Sequence, residues 1–295
     1  MEGFFQSQLG RRAVLPEAIF TLLMEAASAF ADPIDARALV AGTGLAMFEH
    51  VAQAGSTMER ARELAGQPDP VLPALVVADR QLLGRGQRGA RWWQADGSLA
   101  MSLVVDASAV VGGPPPAVWS LACGVALAES LAALVPAIDP LVRWPNDVEI
   151  GGRKIAGILV EALPGGRAIF GVGVNTTGSC REAPAEIAAR LVTMPDLVGT
   201  SLPRGRLLAD FLPRLFALLA ETAADPAALL PRHRARCSLA GEVVTIHRGG
   251  ERLTGICRGI AIDGALLLDT GEGREVVRSG SLTPPEQVWR GGPRG

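Results

Sequence analysis

The sequence predicts an α+β protein in two parts, a mixed-sheet domain followed by a small β-barrel. Up to about residue 236, short apolar runs alternate with longer segments of helical spacing. From Cys237 the texture changes, and four short strand-like runs crowd into roughly 45 residues with Gly-rich turns between them. With 48% hydrophobic and 20% charged residues over 295 positions, the chain can bury a full core.

Taken in order, residues 16–30 place Ile19, Phe20, Leu23 and Ala27 at helical spacing, with Pro16 suited to a first turn. Residues 1–44 thus read as a helical extension, too short for a winged helix-turn-helix. Residues 46–52 read as a strand leading to Gly55, and Ser56-Thr57-Met58-Glu59 as a capping box opening a helix to about Ala65. A buried strand at 75–78, a Gly- and Arg-rich loop at 79–97, a second strand at 99–105 and a Gly/Pro turn at 112–116 follow. Residues 118–138 are long and apolar enough for a membrane span but contain Glu129, and a mid-span acid costs roughly 2.5–3.5 kcal/mol to insert. A core helix is expected there.

Residues 141–147 form a strand end broken by Pro145. Residues 148–150 and 154–161 flank Gly151-Gly152 as a hairpin, and a further strand at 168–174 ends at Asn175. Helices are expected around 184–191, 203–220 and 225–235, the middle one with an apolar stripe of Leu207, Leu208, Phe211, Leu212, Leu215 and Leu219. The expected domains are therefore 45–236 and, for the barrel, 237–284. Barrel strands fall at 242–247, 252–260, 265–269 and 275–278, and 285–295 reads as a loose tail.

A net charge of −2 argues against a general nucleic-acid binder, and no basic recognition helix is apparent. Four scattered cysteines without a CxxC and only three histidines exclude a disulfide scaffold and a normally spaced zinc site, and fit a reduced cytoplasmic protein. The N-terminus lacks the long apolar run of a signal peptide. One bias stands out: a single lysine, Lys154, against 27 arginines. Lysine and arginine differ where a compact ammonium must act as a point charge, so Lys154 is a functional candidate before any motif is named.

Gly84-Arg85-Gly86-Gln87-Arg88-Gly89 matches GxGxxG, with Asp106 at a strand end beyond it. A dinucleotide fingerprint needs a helix to open at those glycines, and residues 90–97 leave no room for one. Arg85, Arg88 and Arg91 in this loop also point to side-chain contacts with phosphate. Arg143-Trp144-Pro145-Asn146-Asp147, followed across the hairpin by Lys154, is more specific. It sets a carboxylate and an ammonium to face one cleft, with Asp147 interacting either with a metal or with Lys154 itself.

These residues resemble the biotin–protein ligases. The shared pattern is Ser56-Thr57, Gln81, the loop from Gly84 to Trp92, Arg143–Asp147, the Lys-x-x-Gly-Ile-Leu-x-Glu run from Lys154 to Glu161, and Gly171-Val172-Gly173-Val174-Asn175. The resemblance covers about residues 46–280. It implies a catalytic domain of the class II synthetase-like type with an SH3-like barrel. It also implies formation of biotinyl-5′-adenylate from biotin and ATP, then transfer to a lysine of a biotin carboxyl carrier domain of a carboxylase.

On the same basis, Lys154, Asp147 and Arg85 are the expected catalytic residues. Ser56, Thr57, Met58, Gln81, Gly84, Gly86, Gln87, Arg88, Trp92, Asn146, Gly157 and Asn175 would join Arg85 and Lys154 in holding biotin and the adenylate. Mg²⁺ would ride on the ATP phosphates without a fixed protein cage, Asp147 being the candidate protein contact. The resemblance allows a homodimer and gives no reason to expect DNA or membrane partners.

Met58 replaces the family's usual Asn, Gln87 and Ala90 each replace Arg, and Arg143 replaces Lys; Gln87 removes a cation from the loop expected to hold the adenylate. The competing readings are a lipoate–protein ligase, a biotin-responsive repressor, and a binding module that holds biotin or adenylate without turnover.

Overall fold

In a computed structural model of the chain, residues 32–107 and 116–282 are described, apart from the side chains of Arg88 and Pro116. The expected helix at 16–30, most of the turn at 112–116 and the tail at 285–295 lie outside the described residues. Seven strands make one sheet: β1 (Met47–Ala54), β2 (Ala74–Gln81), β3 (Leu99–Asp106), β4 (Leu141–Arg143), β5 (Asp147–Ile150), β6 (Arg153–Leu163) and β7 (Arg167–Val174). Their order is β1-β2-β3-β7-β6-β5-β4. β1 and β2 run parallel and every other neighbouring pair is antiparallel, so the sheet is mixed as expected.

Strand alternation divides the sheet into two unequal cores. Leu99, Met101 and Leu103 of β3 face the larger one, packing with α3 (Pro116–Leu134) and α6 (Arg204–Ala224) through Leu121, Val125, Leu207, Phe211 and Leu215. On the other face Val104, Val76 and Ile169 meet Met58, Ala61 and Leu64 of α2 (Thr57–Ala65). α3 is long and apolar enough to span a bilayer, but most of it is buried within this fold. A helix buried on every side needs no polar face. It stops at Leu134, short of the expected 138, two residues before Pro136, which has no N–H to continue the ladder.

Among the described residues, shorter helices include α1 (Ala36–Thr43), α4 (Ala185–Ala188) and α7 (Leu229–Arg236). The expected helix at 184–191 is thus a single turn, and an unanticipated α5 (Met194–Val198) follows it. Thr193 nucleates α5 by accepting the Asp196 N–H, with Pro195 in its first turn. In α2 only half of the capping box forms. Ser56 Oγ accepts the Met58 N–H, while the Glu59 carboxylate pairs with Arg85 at 2.9 Å.

The C-terminal residues form a five-stranded antiparallel sheet, one strand more than expected. Its strands are β8 (Val243–Arg248), β9 (Glu251–Ile260), β10 (Leu266–Thr270), β11 (Gly273–Val277) and β12 (Ser281–Leu282), in the order β11-β10-β9-β8-β12. Val244, Ile246, Cys257, Leu266, Leu268 and Val277 are buried in continuity with the larger core of the mixed sheet. Cys237, just past α7, bridges to Val142 of β4 through the backbone.

Candidate active site

A cleft of about 200 Å³ opens on the α2 face of the mixed sheet. Its floor runs along a row in register, Gly173 on β7, Gly157 on β6 and Asp147 on β5, which continues to Ala100 on β3. The absence of side chains at two of these positions lets the Trp92 indole lie flat on the sheet. A Cβ on Gly157 would fall 2.9 Å from that ring, and one on Gly173 would clash with it outright. One row away, a Cβ on Gly171 would come within 2.6 Å of the Met58 sulfur.

Lys154 and Gly157 share this floor because of a β-bulge. Lys154 and Gly157 are three positions apart on β6, so strict alternation would send them to opposite faces. The β5–β6 register pairs Val148 with Ala156 and then Glu149 with Lys154, skipping Ile155. Lys154, paired with Glu149, already shares the face of Asp147, and the extra residue brings Gly157 to that face as well. Its Nζ stands 2.6 Å from Asp147 Oδ1 and 5.4 Å from the centre of the Trp92 ring. Asp147 is paired here with Lys154, one of the two partners foreseen for it.

The opposite wall is polar and built at the start of α2. Gln81 Oε1 accepts the Thr57 N–H at 2.9 Å and lies 3.2 Å from Thr57 Oγ1, which in turn accepts the Ser102 hydroxyl at 2.8 Å. These donors fix the Gln81 amide with its Nε2 toward Gly84. Gln94 secures the same strand, accepting the Gln81 N–H and donating to Asp79 O and Ser98 O. Burial alone would raise the Asp79 carboxyl, but hydrogen bonds from Arg204 and His50 outweigh it and hold the group below its ordinary value.

The loop over the cleft confirms the rejection of a dinucleotide fold. Gly86 N donates to Ala90 O, Trp92 N donates to Gly84 O, and Arg85 bridges to Arg91, so the glycines close a β-like loop around one 3-10 turn, Gln87–Gly89. No crossover helix opens there. Arg85, Gln87 and Arg91 line the cleft from this loop. The Arg88 side chain lies outside the described residues.

Most of the residues expected from the sequence therefore converge: Ser56, Thr57, Met58, Gln81, Arg85, Gly86, Gln87, Trp92, Asn146, Asp147, Lys154 and Gly157 all line the cleft. Two expected residues stand outside its lining. Gly84 is buried behind Trp92, where a Cβ would meet Trp92 O at 3.2 Å. Asn175 is fully buried one residue past β7, donating to Val192 O. Met101, Ile158, Leu159, Gly171, Val172 and Gly173 line the cleft without having been singled out as site residues. For the two glycines a signal existed, the i, i+2 spacing of small residues along one face of a strand. Asp147 is the one carboxylate among the described residues of the lining.

A mixed sheet with a helix N-terminus, a glycine floor and an arginine loop on one face matches a class of acyl-group ligases. The signature of the Biotin/lipoate A/B protein ligase family matches residues 50–175, and that of the Biotin protein ligase C terminal domain matches residues 240–281. The chain is 33% identical over 262 residues to the biotin–[acetyl-CoA-carboxylase] ligase of Mycobacterium tuberculosis, covering 85% of this chain and 95% of that protein. It is 32% identical to the ligase of the same name from Paracoccus denitrificans, over 82% of this chain and 100% of the other. Among solved structures, Aquifex aeolicus biotin protein ligase in complex with biotin and ATP matches with a TM-score of 0.69 at 27% identity, covering 80% of this chain and 96% of that one. The chain belongs to the biotin–protein ligase family.

Proposed function

We propose that this chain activates biotin with ATP to biotinyl-5′-adenylate and passes the biotinyl group to a lysine of a biotin carboxyl carrier domain, in the cytoplasm. In the first step a biotin carboxylate oxygen bonds to the α-phosphorus and pyrophosphate leaves. In the second, the acceptor amine attacks the acyl carbon and AMP leaves. The observation that carries the reading is the chain's one lysine, set 2.6 Å from Asp147 on a glycine floor beneath an arginine loop.

The chemistry gives each group work. Two anions meet in the first step, so positive charge fixed near the α-phosphate lowers the barrier. Lys154 supplies a compact charge there, and Arg85 and Arg91 supply more at the rim. Asp147 holds the ammonium in place before the nucleotide arrives. ATP would bring Mg²⁺ on its phosphates, where the ion neutralises charge, with Asp147 as the protein carboxylate within reach. Ser56, Thr57 and Gln81 offer donors and acceptors suited to the ureido ring. Met58, Leu159 and the Trp92 ring supply apolar contact. The decisive experiment is biotin-dependent exchange between ATP and labelled pyrophosphate, with lipoate as the control acid. Exchange with biotin alone supports the proposal; exchange with lipoate alone, or with neither, refutes it.

A further inference from the structure

The break between β4 and β5 is gripped from three sides. Asn146 Nδ2 donates to Ile158 O at 2.8 Å, and Ile158 N returns a bond to Asn146 O at 2.9 Å. Ser120 of α3 donates to Pro145 O at 3.3 Å. The third grip comes from the barrel: the Trp144 indole N–H donates to Gly264 O at 3.0 Å in a buried contact. Trp144 is 2% exposed and does not line the cleft.

The acceptor end is built for this contact. Gly264 has φ +79°, and a Cβ there would come 3.1 Å from Val118 N and 3.2 Å from the Ala117 carbonyl carbon, so the turn needs glycine both for its conformation and for its approach to α3. The turn is braced from within, by Gly264 N to Ala261 O and Ala261 N to Ala265 O, and from outside by Arg278 on Asp263 at 2.8 Å. A buried indole N–H must find an acceptor, which a phenyl ring would not need. The barrel thus presents one preformed carbonyl to the segment whose third following residue is Asp147.

We propose that Trp144 and the Gly264 turn form a positioning element for the activation step, through which the barrel fixes the chain break that aims Asp147 at Lys154. The inference rests on the function proposed above for the catalytic part. Trp144→Phe keeps most of the packing and removes the donor. A net hydrogen bond of ordinary strength corresponds to roughly three- to ten-fold in rate. The expected result is a kcat for biotin-dependent exchange lowered by that factor, with the KM for biotin within about two-fold of the parent. Amide hydrogen exchange of residues 146–158 should quicken while β1 and β2 are unchanged. Asp263→Ala, which loosens the turn from the surface, should give the same split in smaller measure and serves if Trp144→Phe fails to fold.

A parent-like kcat in a folded variant, or faster exchange spread evenly over the chain, would overturn the proposal. The exchange mapping needs no substrate. If the parent lacked biotin-dependent activity, the functional reading would fall while the mapping still decided whether the barrel turn holds residues 146–158.

Discussion

The Lys154 ammonium lies 2.6 Å from Asp147 Oδ1, directly above Gly157, where even a Cβ would approach Lys154 Nζ to 3.1 Å. The pair is about two-thirds buried on each side, so neither group is freely solvated. Under the proposed function, this is the charge that meets the nucleotide.

Lys154→Arg should lower biotin-dependent pyrophosphate exchange by about ten-fold or more although the charge is kept. A guanidinium is planar and wider than an ammonium, and the space between Gly157 and Trp92 is shaped for a point charge. Steady-state exchange on folded variant enzyme measures it, and near-parent rates would remove Lys154 from the activation step.

Asp147→Asn should depress kcat more than it raises the KM for biotin. The carboxylate bears on the lysine and on the nucleotide side of the cleft, and its effect is greatest as charge moves at the α-phosphate. A change confined to KM would reassign Asp147 to substrate binding.

Gln87→Arg should slow escape of the free adenylate by about ten-fold, the worth of one charge-assisted hydrogen bond to phosphate. Gln87 lines the cleft in the 3-10 turn, and its neighbour Arg85 is engaged by Glu59. The measurement is release of biotinyl-adenylate in the absence of acceptor, with labelling of an unrelated lysine-rich protein as the second readout. Equal retention by both forms refutes the expectation.

His233 gives a prediction about acid stability. It is fully buried in α7, and neither ring nitrogen finds a hydrogen-bond partner among the described residues. Burial lowers its pKa from 6.5 to about 4. Between those values the unfolded chain takes up a proton that the folded chain refuses, so stability is full above about pH 6.5 and falls toward pH 4. The loss approaches roughly 3 kcal/mol by the lower end. Replacement by Leu should flatten that part of the curve in urea melts from pH 7 to pH 4. An unchanged slope would show that other groups set it.

Much of the cleft was legible because its chemistry sits in contiguous motifs: Ser56-Thr57 at a cap, the arginine loop, and Asp147 and Lys154 across a Gly-Gly hairpin. The bulge at Ile155 was not legible. The hairpin sets Lys154 on the face of Asp147, but alternation along β6 alone would send Gly157 to the other face, and only the pairing of β5 with β6 brings it back. Asn175 was drawn toward the site by its place in a motif; in the structure it is buried outside the cleft lining, with its Nδ2 donating to Val192 O. The continuity of the barrel with the larger core was hidden for a different reason. Turn density and short strands mark a change of architecture, but which residues bury against which partner depends on contacts such as Trp144 with Gly264, 120 positions apart.

A ligase of this kind makes a reagent that acylates amines, and its own side chains are the first it meets. Here the surface cations are guanidiniums, which stay protonated and do not compete for the acyl group. The single ε-amine of the chain is held by a carboxylate inside the cleft. An adenylate that escapes therefore finds no second lysine amine on the protein that made it. Lysine self-acylation is thereby confined to a single position, inside the cleft.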